Sequence, residues 1–195
     1  MSALRKEERY TYEDYKIWDD DIRVELINGH IYNMAAPSQN HQILLGELYA
    51  EFRNYLKGKP CRVFMAPADV RLDYDNFDNT VVQPDLFVVC DKSKLDGQNC
   101  NGAPDLVIEI LSPSNSMMDK FIKFNKYLQS GVKEYWIVDP FEKTITVYTL
   151  SEDKYIAEVH GKDEEENIEK NLIKVGIFED LIINTEEIFG EIEES

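Results

Sequence analysis

A carboxylate stands in the middle of a short apolar run, Asp105-Leu-Val-Ile-Glu109-Ile-Leu111, bounded by Pro104 on one side and Ser112-Pro113 on the other. An apolar run closed at both ends by turn residues is the pattern of a buried strand. Successive strand residues face opposite sides, so Asp105, Val107, Glu109 and Leu111 share one face. A charged Glu109 inside such a strand costs free energy unless it is paired or binds a cation. This one residue therefore constrains both the fold and the chemistry.

The residues that follow predict a helix and a second strand. Ser114 or Asn115 can cap the helix, and Met118, Phe121, Ile122 and Leu128 are its apolar positions. Gly131 ends it in the left-handed conformation. Glu134-Tyr-Trp-Ile-Val-Asp139-Pro140 is then a second apolar strand, with Tyr135 and Trp136 as core residues. The unit reads as strand, helix, strand.

Upstream, Thr11 can cap a short helix through Trp18, with Asp14 completing a capping box. Asn28-Gly29 between two apolar stretches signals a two-residue hairpin turn. Pro37-Ser38 ends the hairpin, and residues 40–57 predict an amphipathic helix with Ile43, Leu44, Leu48, Phe52, Tyr55 and Leu56 on its inner side. Residues 61–65 and 68–73 form one long strand or two short ones around Pro67. Residues 81–90 form another, starting near Pro84, and residues 91–103 form a polar loop. After Pro140, residues 144–150 and 155–159 alternate as half-exposed strands with a turn near Glu152-Asp153. Residues 168–175 add a strand and residues 185–189 a final short helix. The order predicts an α/β sheet with helices packed against it, one domain over residues 1–195 without repeats or linkers.

Glu109 gains a companion in this order. Asp85 follows Pro84 directly, on the neighbouring strand. Two carboxylates at a shared strand end can hold a hard cation such as Mg²⁺, with the backbone carbonyl of Ile110 as the simplest third ligand. Each residue also has a plainer reading. Asp85 can cap a turn, as Asp105 does. Glu109 can be a buried acid paired with Lys123 or Arg71. Glu25 is a third acid at the cation or the polar side of the hairpin. His41 is a helix-start residue bonded to a loop, or a group on the substrate side.

Charge sets limits. The 195 residues carry a net charge of −17, much of it at residues 163–166 and in the Glu-rich last ten residues. This argues against broad, sequence-independent binding of nucleic acid, whose affinity comes mostly from Lys and Arg. A polyanion could approach only through a local positive or neutral groove, for which Arg62, Arg71, Lys120, Lys123 and Lys126 are the candidates. No apolar run is long enough to span a membrane, and the N-terminal residues lack the apolar middle of a signal peptide, so a cytoplasmic protein is expected. Cys61, Cys90 and Cys100 are odd in number and lack metal-type spacing. They are expected to be reduced and structural, with Cys90 a small core residue.

In combination these residues resemble the Uma-two family of restriction endonuclease-like proteins. The likeness is carried by Pro84-Asp85, by Pro104-Asp105-Leu-Val-Ile-Glu109-Ile-Leu-Ser112-Pro113-Ser114, and by Asp119, Lys123, Tyr127, Gly131 and Val132 at their spacing. Glu134-Tyr-Trp-Ile-Val-Asp139-Pro140, the Glu25-containing hairpin and His41 extend it. The resemblance implies the PD-(D/E)XK nuclease fold, with an N-terminal helix and hairpin and added C-terminal strands. It implies a Mg²⁺-dependent endonuclease or related phosphodiesterase, with Mn²⁺ as a substitute, acting on nucleic acid and DNA first, as a homodimer. Asp85, Glu109 and the Ile110 carbonyl would hold the metal. The lysine expected two residues after Glu109 is here Leu111, and the family pattern supplies Lys123 from the helix, with Tyr127 on the same helix face. The acidic charge and the missing lysine also suit a non-catalytic binding module on the same fold. A hydrolase of a small phosphodiester fits the charge as well.

Overall fold

Two prolines divide the chain between two sheets. The computed structural model describes residues 8–18, 23–74, 77–112, 118–161 and 168–192. A single turn of helix, α1 (Tyr12–Tyr15), precedes the hairpin β1 (Val24–Ile27) and β2 (His30–Asn33), and the long helix α2 (Gln39–Tyr55) follows. Next come β3 (Arg62–Met65), β4 (Val70–Arg71), β5 (Val81–Val82), β6 (Leu86–Val89), β7 (Cys100–Asn101) and β8 (Leu106–Ile110). A π-helical segment, Met118–Lys123, runs into α3 (Phe124–Ser130). The chain continues through β9 (Glu134–Asp139), β10 (Thr144–Ser151), β11 (Lys154–Gly161), β12 (Leu172–Lys174), β13 (Ile182–Asn184) and α4 (Thr185–Phe189).

The main sheet has the order β11-β10-β9-β8-β6-β3, the second sheet β2-β1-β5-β4-β7, and β12 pairs with β13. Between β3 and β4 the chain leaves the main sheet at Pro67, after a cis Ala66–Pro67 bond. It returns at Pro84, between β5 and β6. Residues 81–90 are thus two strands in two sheets rather than one, because proline has no N–H to give a ladder. The strand–helix–strand unit pairs β8 with β9 in parallel, as a helical crossover requires.

Each side of the main sheet has its own core. On one side Leu106, Ile108, Ile110 and Trp136 pack against Leu44, Leu48 and Phe52 of α2, joined by Ile183 and Ile188. On the other, Val107, Leu111, Tyr135 and Ile137 pack against Tyr127 and against Ile27, Val70 and Val82 of the second sheet. The alternation read from residues 105–111 is therefore observed, and Tyr135 and Trp136 are fully buried. Ser38 caps α2 by accepting the His41 N–H at 3.2 Å. Leu45 lies on the inner side of α2, where Ile43 and Tyr55 are partly buried.

Several expectations are corrected. The first helix stops at Tyr15 rather than Trp18, although Asp14 accepts from both the N–H and the hydroxyl of Thr11, each at 2.8 Å. The 91–103 loop contains β7, parallel to β4. The capping residues Ser114 and Asn115 lie outside the described residues, as does the Met118 side chain. Phe121, expected to point inward, is 64% exposed. The wider π-turn shifts the helix phase and turns Lys123, Lys126 and Tyr127 inward instead. Gly131 ends the helix at φ 81° as expected. Residues 168–171 form a helical turn before β12, and β13 had no strand signal. Cys61 and Cys90 are not reduced but joined by a disulfide, since the register that pairs Arg62 with Val89 sets them opposite one another. Cys100 is free and buried, its thiol pushed up to about 12 chiefly by burial.

Candidate active site

Glu109 lies one residue from the end of β8 and is 2% exposed. Its charge is met from the helix that crosses back over the strand. Lys123 Nζ lies 3.0 Å from Glu109 Oε1, and the Tyr127 hydroxyl donates to the same oxygen at 2.6 Å. The two helix residues are four apart and on one face, as the spacing predicts. Lys123 also lies 2.9 Å from Glu25 Oε1 of β1, so one buried ammonium bridges two buried carboxylates. Glu25 Oε1 accepts the Gln83 N–H at 2.7 Å, which ties the hairpin to the residue beside Pro84. Burial, first, and then the charges of Glu109 and Glu25 hold the Tyr127 hydroxyl well above its ordinary value, so it acts as a donor.

Asp85 stands at the head of β6, on the strand next to β8. Its Oδ2 accepts the Ile110 N–H at 2.7 Å and its Oδ1 lies 3.1 Å from His41 Nε2. His41 is buried in the first turn of α2, and its Nδ1 has no hydrogen-bond partner among the described residues. The register that pairs Leu86 with Ile108 would next set Pro84 opposite Ile110. Proline has no N–H, so that position gives the Ile110 carbonyl no ladder donor. Glu25, His41, Asp85, Glu109, Lys123 and Arg23 all line one cavity of about 240 Å³.

Among the described residues no group of three or more His, Cys, Asp or Glu is arranged to hold a metal. Three carboxylates line the cavity, Glu25, Asp85 and Glu109, and His41 turns its Nε2 to Asp85; the two that stand on the adjoining strands, Asp85 at the head of β6 and Glu109 on β8, offer with the Ile110 carbonyl only oxygen donors. That all-oxygen set fits a hard cation that keeps several of its waters and takes substrate oxygens, and does not suit a softer metal.

Other candidates stand elsewhere. Asp105 is structural: it accepts the Cys90 N–H at 2.7 Å and pairs with Lys133 at 2.6 Å. Arg71 does not pair with Glu109 but with Asp78, and it lies over the Tyr12 ring at 3.7 Å. Lys126 is buried against Asp73 and Asn28, each at 2.7 Å. Arg62 is at the far end of β3 from the cavity, and the Asp119 and Lys120 side chains lie outside the described residues. Arg62, Arg71 and Lys126 therefore do not build the expected basic groove; among the described residues the cations at the cavity are Lys123, one of the expected set, and Arg23. Arg23 and Gln83 carried no motif of their own, though Gln83 adjoins Pro84-Asp85 and could have been found by that adjacency.

Two known proteins are similar to this chain, one in sequence and one in fold. The chain is 30% identical over 144 residues to "Uncharacterized protein slr1290" of Synechocystis sp. (strain ATCC 27184 / PCC 6803 / Kazusa), covering 72% of this chain and 74% of that protein. It is similar in fold to a crystal structure described as a "putative nuclease belonging to DUF820" from Anabaena variabilis ATCC 29413. The TM-score is 0.73 at 22% identity, over 93% of this chain and 98% of that one. The mixed sheet with the β8–α3–β9 crossover is thus the restriction endonuclease-like fold. Among the described residues no helix is long and apolar enough to cross a membrane. Residues 12–181 match the model of the Uma2 family, described as "Putative restriction endonuclease", and over that span, from α1 to the turn before β13, the chain belongs to that family.

Proposed function

We propose that the protein is a Mg²⁺-dependent endonuclease or related phosphodiesterase, with Mn²⁺ as a substitute, that cleaves nucleic-acid phosphodiester bonds in the cavity beside β8. The carrying observation is Lys123. Leu111 occupies the strand position where a lysine would accompany Glu109, and it is buried in the core against Tyr127. A lysine from the helix brings its ammonium to 3.0 Å from Glu109 in its place. A purely structural acid would need no second carboxylate at the same cavity, and Asp85 is there.

Asp85, Glu109 and the Ile110 carbonyl would hold the cation. When bound, it lowers the pKa of a coordinated water and neutralises charge on the phosphate. The chain's own residues position and donate. His41 and the Ile110 N–H fix the two Asp85 oxygens, and Tyr127 fixes Glu109. Lys123, held between Glu109 and Glu25, presents a preorganised positive charge to the attacking water or to the phosphate oxygens, where charge develops. Arg23 at the rim attracts the phosphate. Cutting both strands of a duplex calls for two such cavities, hence a homodimer.

A second reading, hydrolysis of a small phosphodiester, draws support from the net charge of −17 and the cavity of about 240 Å³. One assay separates them. Labelled single- and double-stranded DNA, RNA and bis(p-nitrophenyl) phosphate are incubated with Mg²⁺, with Mn²⁺ and with EDTA. Metal-dependent scission of a polynucleotide is expected. Turnover of the small ester alone selects the second reading, and no turnover of any substrate overturns both.

A further inference from the structure

Despite the net charge of −17, the described residues form a cleft that gathers cations and no carboxylate. It measures about 660 Å³ and is walled by Arg53, Lys57, Lys59, Arg62 and Lys92 around Leu56 and Val63. Among the described residues, the side chains of Arg53, Lys57 and Lys92 have no hydrogen bond or ion pair. Lys59 lies over the Tyr55 ring at 3.1 Å, and its one acidic neighbour, Asp180, is 3.8 Å away. Arg62 donates to the carbonyls of Lys59 and Cys61. Cations near the end of a helix offset its dipole, which accounts for Arg53 and Lys57. It does not account for Lys59 and Arg62, from the loop after α2 and from β3, nor for Lys92, from the turn after β6.

The cleft and the candidate active site are the two ends of one seam, between α2 and β3. Helix α2 gives His41, Gln42 and Leu45 to the cavity and Arg53 to the cleft, which Leu56 and Lys57 join from just past its end. Strand β3 gives Met65 to the cavity and Arg62 and Val63 to the cleft. It is the edge of the main sheet, so no further strand covers it there. The two sites are separated by about 10 Å along the strand and about 16 Å along the helix. Each strand of a duplex advances ~3.4 Å along the helix axis per phosphate, so a duplex whose axis lies along the seam crosses this interval in about three to five phosphates.

We infer that this cleft is a phosphate-backbone site, holding the polynucleotide about three to five nucleotides from the bond that lies in the cavity. The identity of the ligand rests on the phosphodiesterase reading above. An acidic protein repels a polyanion at long range, and a local convergence of cations is the feature that overcomes this.

The test is binding by the full chain to fluorescein-labelled single- and double-stranded DNA, followed by fluorescence anisotropy in EDTA between about 50 and 200 mM salt. In the Lys57→Gln/Arg62→Gln/Lys92→Gln variant, affinity at low salt should fall about tenfold or more, and the slope of log K against log salt should become shallower by about 2 to 3. Three exposed lysines elsewhere serve as the control: Lys16→Gln/Lys154→Gln/Lys174→Gln should change affinity by less than about threefold. All the substituted residues are exposed, and thermal melting verifies that both variants fold. Unchanged affinity in the cleft variant, or equal loss in both variants, overturns the inference. So does loss of binding to pyrophosphate or to phosphatidylserine vesicles while oligonucleotide binding persists. Because EDTA removes catalysis from the measurement, an absence of cleavage sinks the phosphodiesterase reading without touching this result, and an absence of cleft-dependent binding sinks the inference alone.

Discussion

Replacing Lys123 by methionine tests how the site is held together as well as what it does. From sequence, Lys123→Met should lower turnover by about 10²-fold or more, the scale of losing one preorganised donor, and leave metal binding and folding nearly intact. The expectation for turnover awaits assay, and the contacts of Lys123 revise the expectation for folding. The Lys123 ammonium lies 2.9 Å from Glu25 and 3.0 Å from Glu109, and all three side chains are at most 5% exposed. The two carboxylate oxygens it bridges are therefore no more than about 6 Å apart, and at an effective dielectric of about 20 they repel by roughly 3 kcal/mol. Breaking a buried ion pair by removing one partner costs about 3–5 kcal/mol. For a chain of this size that corresponds to a fall in melting temperature of about 10 °C, within a range of roughly 6–20 °C. Adding Glu25→Gln to Lys123→Met should restore part of the loss, because it removes one of the two repelling charges. Divalent cation should raise the melting temperature of Lys123→Met more than that of the wild type, since the bare carboxylates attract it more strongly. The assay is thermal unfolding of the three proteins with and without Mn²⁺. A Lys123→Met protein that melts within about 1 °C of wild type would refute the bridging role.

Three further outcomes follow from the same contacts. His41→Ala should weaken Mn²⁺ binding by about 10-fold or more, the scale for groups that orient a ligand, because it frees the Asp85 carboxylate to turn; calorimetric titration measures it. Lys126→Met should destabilise by about 1–3 kcal/mol in urea unfolding with metal affinity unchanged, since Lys126 ties α3 to Asp73 and to the hairpin turn at Asn28 rather than facing substrate. Asp96 accepts the N–H groups of Gln98 and Asn99 and the Asn101 amide, which hold its carboxyl far below the ordinary 3.8. Its contribution is therefore present above that value and lost as pH falls below it, so the stability advantage of wild type over Asp96→Asn should shrink in melting curves taken below about pH 4. An advantage that does not vary with pH contradicts the assignment.

The residues that organise the site were legible because each broke a local rule. Glu109 is a charge in an apolar strand, and Asp85 follows a proline at a strand start. Such conflicts are where function concentrates. The Asn28-Gly29 hairpin, α2 and the β8–α3–β9 unit were legible because turn chemistry and hydrophobic period fix them locally. What was not legible depends on contacts distant in the chain. Strands of two residues such as β4, β5 and β7 are too short to show a period, so the division into two sheets was hidden. The π-turn before α3 moved Phe121 outward and Lys126 inward, a change of phase that a 3.6-residue period cannot anticipate. The Cys61–Cys90 bond follows from cross-strand register, which cysteine spacing does not encode. Lys123 was singled out by family likeness, and its second partner, Glu25, became visible only when β1 was placed beside the helix.

The most direct measurement of the central claim is calorimetric titration of Mn²⁺ into the wild type and into Asp85→Asn and Asp105→Asn. Both substitutions remove one negative charge, and Asp105 already holds Cys90 and Lys133, away from the cavity. Saturable binding that Asp85→Asn abolishes and Asp105→Asn retains is the predicted result. Equal affinity in all three proteins, or no saturable binding in the wild type, would contradict it.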